Sequence, residues 1–507
     1  MVFLKQALRC CGALGIVGLM AFMVLRPSLR PSLAQGGQPT TTPLPPRAFA
    51  PLVLAALRPT PTVGPTAVPG GTEYFVATNG DDQRNPGTQS LPWRTIQKAV
   101  NTIQPGDSIV VRAGTYQENI TIRRPATASR PMTLRAFAGE RPVIVGSGSG
   151  PTVYFYHSLC DEDVIGNGSG NTDCQALYWE LRGFRIQGSP AGGGDGNVVK
   201  IDTPKVTLRD NLLCCSVADV VKIVRTANDA QILSNEIWQD SAIVTPGANA
   251  QGVDIVGADR VRVAGNHIHD INDIGVYAKG NARNALFENN RLVNIGVNAL
   301  MLGQSTDAER LRDGNYESYD GIVRNNVVVN SGWACLATAS SFNAQFYNNS
   351  CYLTGQSSQA SIRLSNESEV EQAGAQITIV NNLIYGSSAT PVIKIGSNSL
   401  SDYSTLAIHH NLYFVSGGNP LFYASDFFEP VGFAQWKTNY AALTGRSDAS
   451  SLVADPQFAS ISGANALSLQ AGSPAINAGV NASAVPADRL GVPRPQGPST
   501  DIGAYEQ

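Results

Sequence analysis

Lys279, Tyr277 and the acidic residues Asp254, Asp270 and Asp273 are the side chains whose types and spacing suit chemistry. A lysine removes a proton from carbon only as the free amine, so nearby positive charge helps by weakening its hold on its own proton. Calcium takes about six to eight oxygen ligands, for which carboxylates are the strongest side-chain donors. Arg310 and Arg312 bring positive charge from a polar stretch, Ser305 to Tyr319, that also holds Asp307, Glu309, Asp313 and Glu317. Lys279 is therefore the candidate base, with Tyr277, Arg310 and Arg312 as its catalytic partners. Asp254, Asp270 and Asp273 are the candidate calcium ligands. Read singly, an outward lysine is a solvated surface residue and an outward aspartate a turn cap. His267 and His269 alternate in NHIHD and face the same way, either joining Asp270 in a metal site or forming a satisfied surface pair. His409 and His410 sit beside a turn Asn and His157 lies in a loop, and they suggest no further mechanism.

What must position these side chains is a repeat. From Val198 to Gly418 a short apolar strand, a polar turn, a second strand, an Asn and a third strand recur. The turn Asn falls at Asn211, Asn235, Asn266, Asn290, Asn326, Asn349, Asn382 and Asn411. Units of this length, rich in strand formers, Gly and Asn, cannot bury an apolar face alone and must stack. The predicted fold is all-β, a right-handed parallel β-helix of three sheets, with Asn at the corners because Asn tolerates left-handed backbone and its amide can bond to its own copy one turn away. Side-chain alternation puts the middle residue of each first strand outward. Lys200, Lys222, Asp254, Tyr277, Met301, Ala337, Arg363 and Lys394 should then form one solvent-facing column, with Lys279 beside it and the 305–319 insertion as the wall of a groove.

The composition fits: 15% charged and 43% hydrophobic residues with 50 Gly in 507 supply a long core and few helices. Residues 1–34 read as a signal peptide or uncleaved anchor, with Lys5 and Arg9 before an uncharged run from Cys10 to Leu25 and small residues at Ser32 and Ala34. Residues 35–72, rich in Pro and Thr and without acidic residues, read as a disordered linker. The β-helix is assigned to 73–425 and a tail to 426–507. In TIQKAVNTI, Ile96, Val100 and Ile103 share a helical face, suiting a lid on the open N-terminal end of the core.

Phe75 to Val100 (FVATNGDDQRNPGTQSLPWRTIQKAV) and Pro105 to Ile120 (PGDSIVVRAGTYQENI) resemble the entry segment of secreted polysaccharide lyases of the pectate-lyase superfamily. DPQF at Asp455, LSLQAGSPAINAG from Leu467 and DIGAYE from Asp501 resemble the choice-of-anchor Q tail that follows β-helices in bacterial surface and secreted proteins. The superfamily resemblance implies cleavage of uronic-acid polymers by β-elimination on the outward face, with a cation or basic groups neutralising the sugar carboxylate and a Lys or Arg taking the C5 proton. The phrase from Val276 to Ser305 also resembles the region around the base in alginate lyases and chondroitinase B, with Lys279 at the Lys position. The Arg that follows one turn later in those enzymes falls near Gly303 and Gln304 here, which leaves Arg310 and Arg312 as its substitutes.

The resemblance thus implies a secreted or cell-surface lyase acting as a monomer on an extracellular polysaccharide, with calcium as cofactor and membrane contact only through an uncleaved N-terminal segment. Two other readings stay open: a non-catalytic surface protein that binds sugar, and a glycoside hydrolase using carboxylates among Asp254, Asp270 and Asp273. Asn171-Thr172-Asp173 matches a polygalacturonase tripeptide without the accompanying motifs. A formal net charge of −3 gives no reason to expect a nucleic-acid partner. Export permits disulfides: Cys160 with Cys174 and Cys335 with Cys351 are the expected pairs, and at least one of Cys214 and Cys215 should pack in the core.

Overall fold

The computed structural model describes residues 71–507, apart from 158–159, 161–173, 190–195, 241–249, 305, 307–310, 312–314, 358 and 367–371. The N-terminal address, nearly all of the linker, the Asn171–Asp173 tripeptide, Arg310 and Arg312 lie outside the described residues. No helix among the described residues is long and apolar enough to cross a membrane.

The chain coils through three twelve-stranded sheets. Sheet I starts at Glu73–Val76, sheet II at Thr115–Gln117 and sheet III at Ile120–Ile122, and each coil contributes one strand to each. Pairing between successive coils is parallel, with an antiparallel strand, Phe428–Gly432, closing sheet III. The strands are short because alternate Val, Ile and Leu point inward and each corner interrupts the run. Ile201, Ile223, Ile255 and Ala278 thereby stack in one interior column of the continuous core.

The Asn corner joins sheets I and II. From Asn235 onward, Oδ1 of each Asn accepts from the main-chain N–H and the side-chain amide of the Asn one coil earlier, as Asn290 Oδ1 accepts both from Asn266 at 3.0 Å each. The ladder runs unbroken from Asn211 to Asn411, and all eight residues are buried. The left-handed turn lies one residue earlier than the sequence suggests. Asp210, Ser234, Gly265, Asn289, Asn325, Asn348, Asn381 and His410 take the positive φ. Each ladder Asn is thus outside the left-handed region, and its amide lies in the buried stack.

Both ends of the core are closed by helices. α1 (Ile96–Thr102) buries Ile96, Ala99 and Val100 at the N-terminal end. Thr95 caps it, and the Glu118 carboxylate accepts from the N–H groups of Ile96 and Gln97 that lack intrahelical partners. α2 (Phe433–Thr444) covers the other end, stacking Trp436 on Phe422 and burying Tyr440. Strand pairing continues past residue 425, since Leu452–Val453 extends sheet II.

The remainder of the tail folds back along the outer face of sheet II. Ala466, Leu467, Ala504 and Tyr505 pack on Val327, and Leu469, Ala475 and Ile502 on Leu383 and Leu412. Hydrogen bonds tie it down across the sequence, from Asn348 Nδ2 to the Asp501 carbonyl at 3.0 Å and from Asn381 Nδ2 to the Val480 carbonyl at 2.7 Å. A buried ion pair, Arg494 to Glu506 at 2.6 Å, holds the tail together internally.

Cys160–Cys174 and Cys335–Cys351 are disulfide-bonded. Cys214 is buried, as expected of at least one of the pair, and is bonded to the adjacent Cys215.

Candidate functional site

Sheet III carries the outward column, and its register is the one that alternation demands. Lys200 pairs with Lys222, Lys222 with Asp254, Asp254 with Tyr277, Tyr277 with Met301, Met301 with Ala337, Ala337 with Arg363, and Arg363 with Lys394. Tyr154 and Tyr423 continue it at its two ends. What differs is exposure. Asp254, Tyr277, Met301 and Ala337 point away from the core and are nevertheless buried. Ile274, Tyr277, Met301, Ala334, Ala337 and Ala339 make a second, smaller apolar cluster on this outer face. The Tyr277 hydroxyl donates to the Gln304 carbonyl, at the start of the insertion, at 2.6 Å. Tyr277 is thus a packing residue beneath the site, not a solvent-facing partner of the base.

Beside that cluster the charged groups converge. The Lys222 ammonium donates to Asp254 Oδ2 and lies 3.2 Å from Asp219 Oδ2. Asp254 Oδ1 is buried and has no hydrogen-bond partner among the described residues. Asp219 also accepts from the Gln251 N–H at 3.0 Å, and Gln251 Nε2 donates to Asp273 Oδ2 at 2.8 Å. Asp219 and Gln251 stand at the equivalent place in successive coils, two residues before the strands that open at Val221 and Val253. That offset was the available sequence signal for them, and a reading confined to strand residues passes over it.

Burial governs the electrostatics. It pushes the Asp219 carboxyl up to about 6, helped by the negative charge of Asp254 and opposed by Lys222. Burial and Asp254 likewise push Asp273 up to about 6, against its bond from Gln251 and the charge of Lys279. For Lys222, burial alone lowers the affinity for its proton, but Asp254 and Asp219 more than offset that and raise it. At Asp219 and Asp273 the folded state therefore binds more protons than the unfolded chain between the ordinary aspartate value and about 6, and the stability these two contribute is lost as pH rises through that window. An Asp273→Asn variant should show a shallower fall in melting temperature between pH 4 and about 6 than the native chain, measured by thermal unfolding across pH.

Lys279 ends its strand beside the cluster, its ammonium 4.8 Å from the Tyr277 ring centre. Among the described residues, the carboxylates that feel its charge are Asp273 and Glu317, anions where flanking cations were expected. Glu317, expected in the groove wall, is fully buried and acts as a strut. Its two oxygens accept from the N–H groups of Gly280 and Thr306 at 2.7 and 2.6 Å, pinning both ends of the insertion to the end of the Lys279 strand.

Asp270 does not join Asp254 and Asp273. It has positive φ, and its carboxylate is bonded to His269 at 2.7 Å and to Asn294 at 2.9 Å on sheet II. Elsewhere along sheet III, cations sit over aromatic rings: Lys200 over Tyr154, Arg363 over Trp333 and Lys394 over Tyr423, at 5.5, 5.6 and 5.9 Å. These are partly exposed and flank the buried cluster on both sides.

Among the described residues, the carboxylate oxygens of Asp219, Asp254 and Asp273 do not gather within reach of one ion, so they form no ready calcium cradle as they stand. When ionised they carry three negative charges against one from Lys222, and among the described residues nothing satisfies the buried Asp254 Oδ1.

Residues 74–207 match the family model described as Pel9A-like, right-handed β-helix region. An uncharacterised protein, YwoF, of Bacillus subtilis (strain 168) is 36% identical over 76 residues, 15% of this chain and 16% of that protein. Pectate lyase PEL9 of Emericella nidulans is 32% identical over 143 residues, 27% of this chain and 33% of that enzyme. The chain therefore spans a third or less of the length of these curated relatives. Among solved structures, pectate lyase Pel9A superposes with a TM-score of 0.55 at 15% identity, over 86% of this chain and 96% of that one, which shows a shared fold.

Proposed function

We propose that this chain, a right-handed parallel β-helix with a Pel9A-like region, is a secreted or surface enzyme that cleaves an acidic polysaccharide by β-elimination. The observation that carries the reading is Lys279, whose charge reaches Asp273, standing one coil from the strand of Asp254 and its cluster with Lys222 and Asp219 on sheet III. The match to a pectate-lyase-like family model and the likeness of part of the chain to a pectate lyase support it.

The chemistry assigns each group a task. A proton next to a uronate carboxylate leaves only when the growing negative charge is offset. Calcium, which Asp254, Asp273 and Asp219 would have to draw together to hold, would supply that offset when bound. Lys279, in the fraction that carries the free amine, takes the C5 proton, the C5–H electron pair forms the C4–C5 double bond, and the glycosidic oxygen leaves C4 and takes a proton from solvent. Lys222 holds Asp219 and Asp254 in place. Lys200, Arg363 and Lys394, each over an aromatic ring, bind further uronate units along the column.

A hydrolase needs two carboxylates facing across an open gap, and here an ammonium lies between Asp219 and Asp254. The partly exposed rings of Tyr154, Trp333 and Tyr423 favour a second reading, sugar binding without turnover. Incubating the full chain with polygalacturonate, alginate and glycosaminoglycans plus calcium, and following the ultraviolet absorbance of unsaturated ends, separates the two. A rise on one polymer supports the lyase. Silence on all of them, with retention of a polymer on the immobilised protein, supports binding.

A further inference from the structure

We propose that Glu236, His267 and His269, on the outer face of sheet II, form a binding site for a divalent transition ion of the zinc type, with Asp270 as the positioning group for His269. One ligand atom from each of the three lies within 4.8 Å of the others. The fold makes this spacing. Glu236 and His267 are directly paired on adjacent coils, and His267 and His269 alternate on one strand, so all three side chains rise from the same face. Two imidazoles and one carboxylate are a donor set for zinc, cobalt, nickel or copper rather than calcium, and they leave a fourth position open.

The site is built beyond its three donors. His269 uses Nε2 toward Glu236, at 3.3 Å, and Nδ1 toward Asp270, at 2.7 Å. A histidine that donates Nδ1–H to a carboxylate while presenting Nε2 is the arrangement that fixes tautomer and ring direction at metal centres. Asp270 is itself held by Asn294, Asn294 by Asn330 at 2.7 Å, and Asn330 by Gln356, a polar chain spanning successive coils. Trp238 stacks on the His269 ring, with centres 5.6 Å apart and planes within 5°, and limits its rotation. This also gives Asp270 a purpose that sheet III does not.

Arg291, one coil on, places Nη1 2.5 Å from His267 Nε2. Its guanidinium is the cation that competes with a metal for this histidine.

The test is calorimetric titration of zinc chloride into the full chain after metal is stripped and the thiols of Cys10 and Cys11 are alkylated. One equivalent of zinc should bind, and His269→Ala should lose it. Asp270→Asn, which keeps the three donors, should weaken it by about 10–100-fold. Arg291→Ala should strengthen it. Equal uptake by the native chain and the His269→Ala variant, with melting temperatures unchanged between them, would overturn the site. Since sheet III is untouched, polysaccharide cleavage by these variants reports separately on the proposed activity.

Discussion

Replacing Lys279 by alanine should lower cleavage of the acidic polymer by about 10²–10⁴-fold, the usual contribution of a positioned acid–base group. The fold should stay intact. Lys279 sits at the end of an outer strand and is only partly buried, so truncation opens no core cavity and stability should shift by no more than about 0.5 kcal/mol. The loss should fall on turnover. Lys394→Ala, several coils away over Tyr423, should instead raise KM with turnover nearly unchanged, because it touches only a remote sugar unit. Initial rates over a range of polymer concentrations, with melting temperature recorded for each variant, check both. Full turnover by Lys279→Ala on a polymer the native chain cleaves would place the base elsewhere.

The second large effect concerns the Asn corner. Asn290→Ala removes the oxygen that accepts from both the N–H and the side-chain amide of Asn266, and removes the donor to the Val263 carbonyl at 2.8 Å. The Asn266 N–H is then left without its partner in a buried corner, the Asn266 amide keeps only the Ile232 and Ala264 carbonyls, and the Val263 carbonyl and Asn326 Oδ1 each lose a donor. At about 1–3 kcal/mol for the unsatisfied N–H and about 0.5–1.5 kcal/mol for each of the other lost hydrogen bonds, the expected loss is about 4 kcal/mol. Asn439→Ala, on the exposed face of α2, should change stability by less than about 0.5 kcal/mol. Guanidinium unfolding followed by circular dichroism measures the difference. Equal midpoints for the two variants would mean that the ladder is decoration.

How much of this was legible follows from what each residue's position depends on. The outward column could be read because strand alternation and the coil repeat are both local rules, and they place Lys200, Lys222, Asp254 and Tyr277 in register. The burial of Tyr277 could not, because it depends on the Gln304 carbonyl and on an outer apolar cluster assembled from several coils. Asp270 was misplaced for a related reason. Its strand reaches Ile271, and the positive φ at Asp270 returns its side chain to the sheet II face beside His269. Asp219 was overlooked because it precedes its strand, where alternation has nothing to say. At the corners, the left-handed geometry was credited to the ladder Asn, when it belongs to the preceding residue and so frees the amide to stack.

The tail's return along sheet II also bears on the order in which the protein can be made. Neighbouring coils touch residues a few dozen positions apart, so the growing chain can wind coil by coil as it leaves the ribosome. The tail breaks that locality: Arg324 reaches the Ala484 carbonyl and Asn348 that of Asp501, across more than 150 residues. Val327, Leu383 and Leu412 remain uncovered until the last segment has been synthesised. A nascent chain stalled before Asp455 would carry a finished Asn ladder and a bare apolar strip, which makes it a client for chaperones rather than a shorter functional protein.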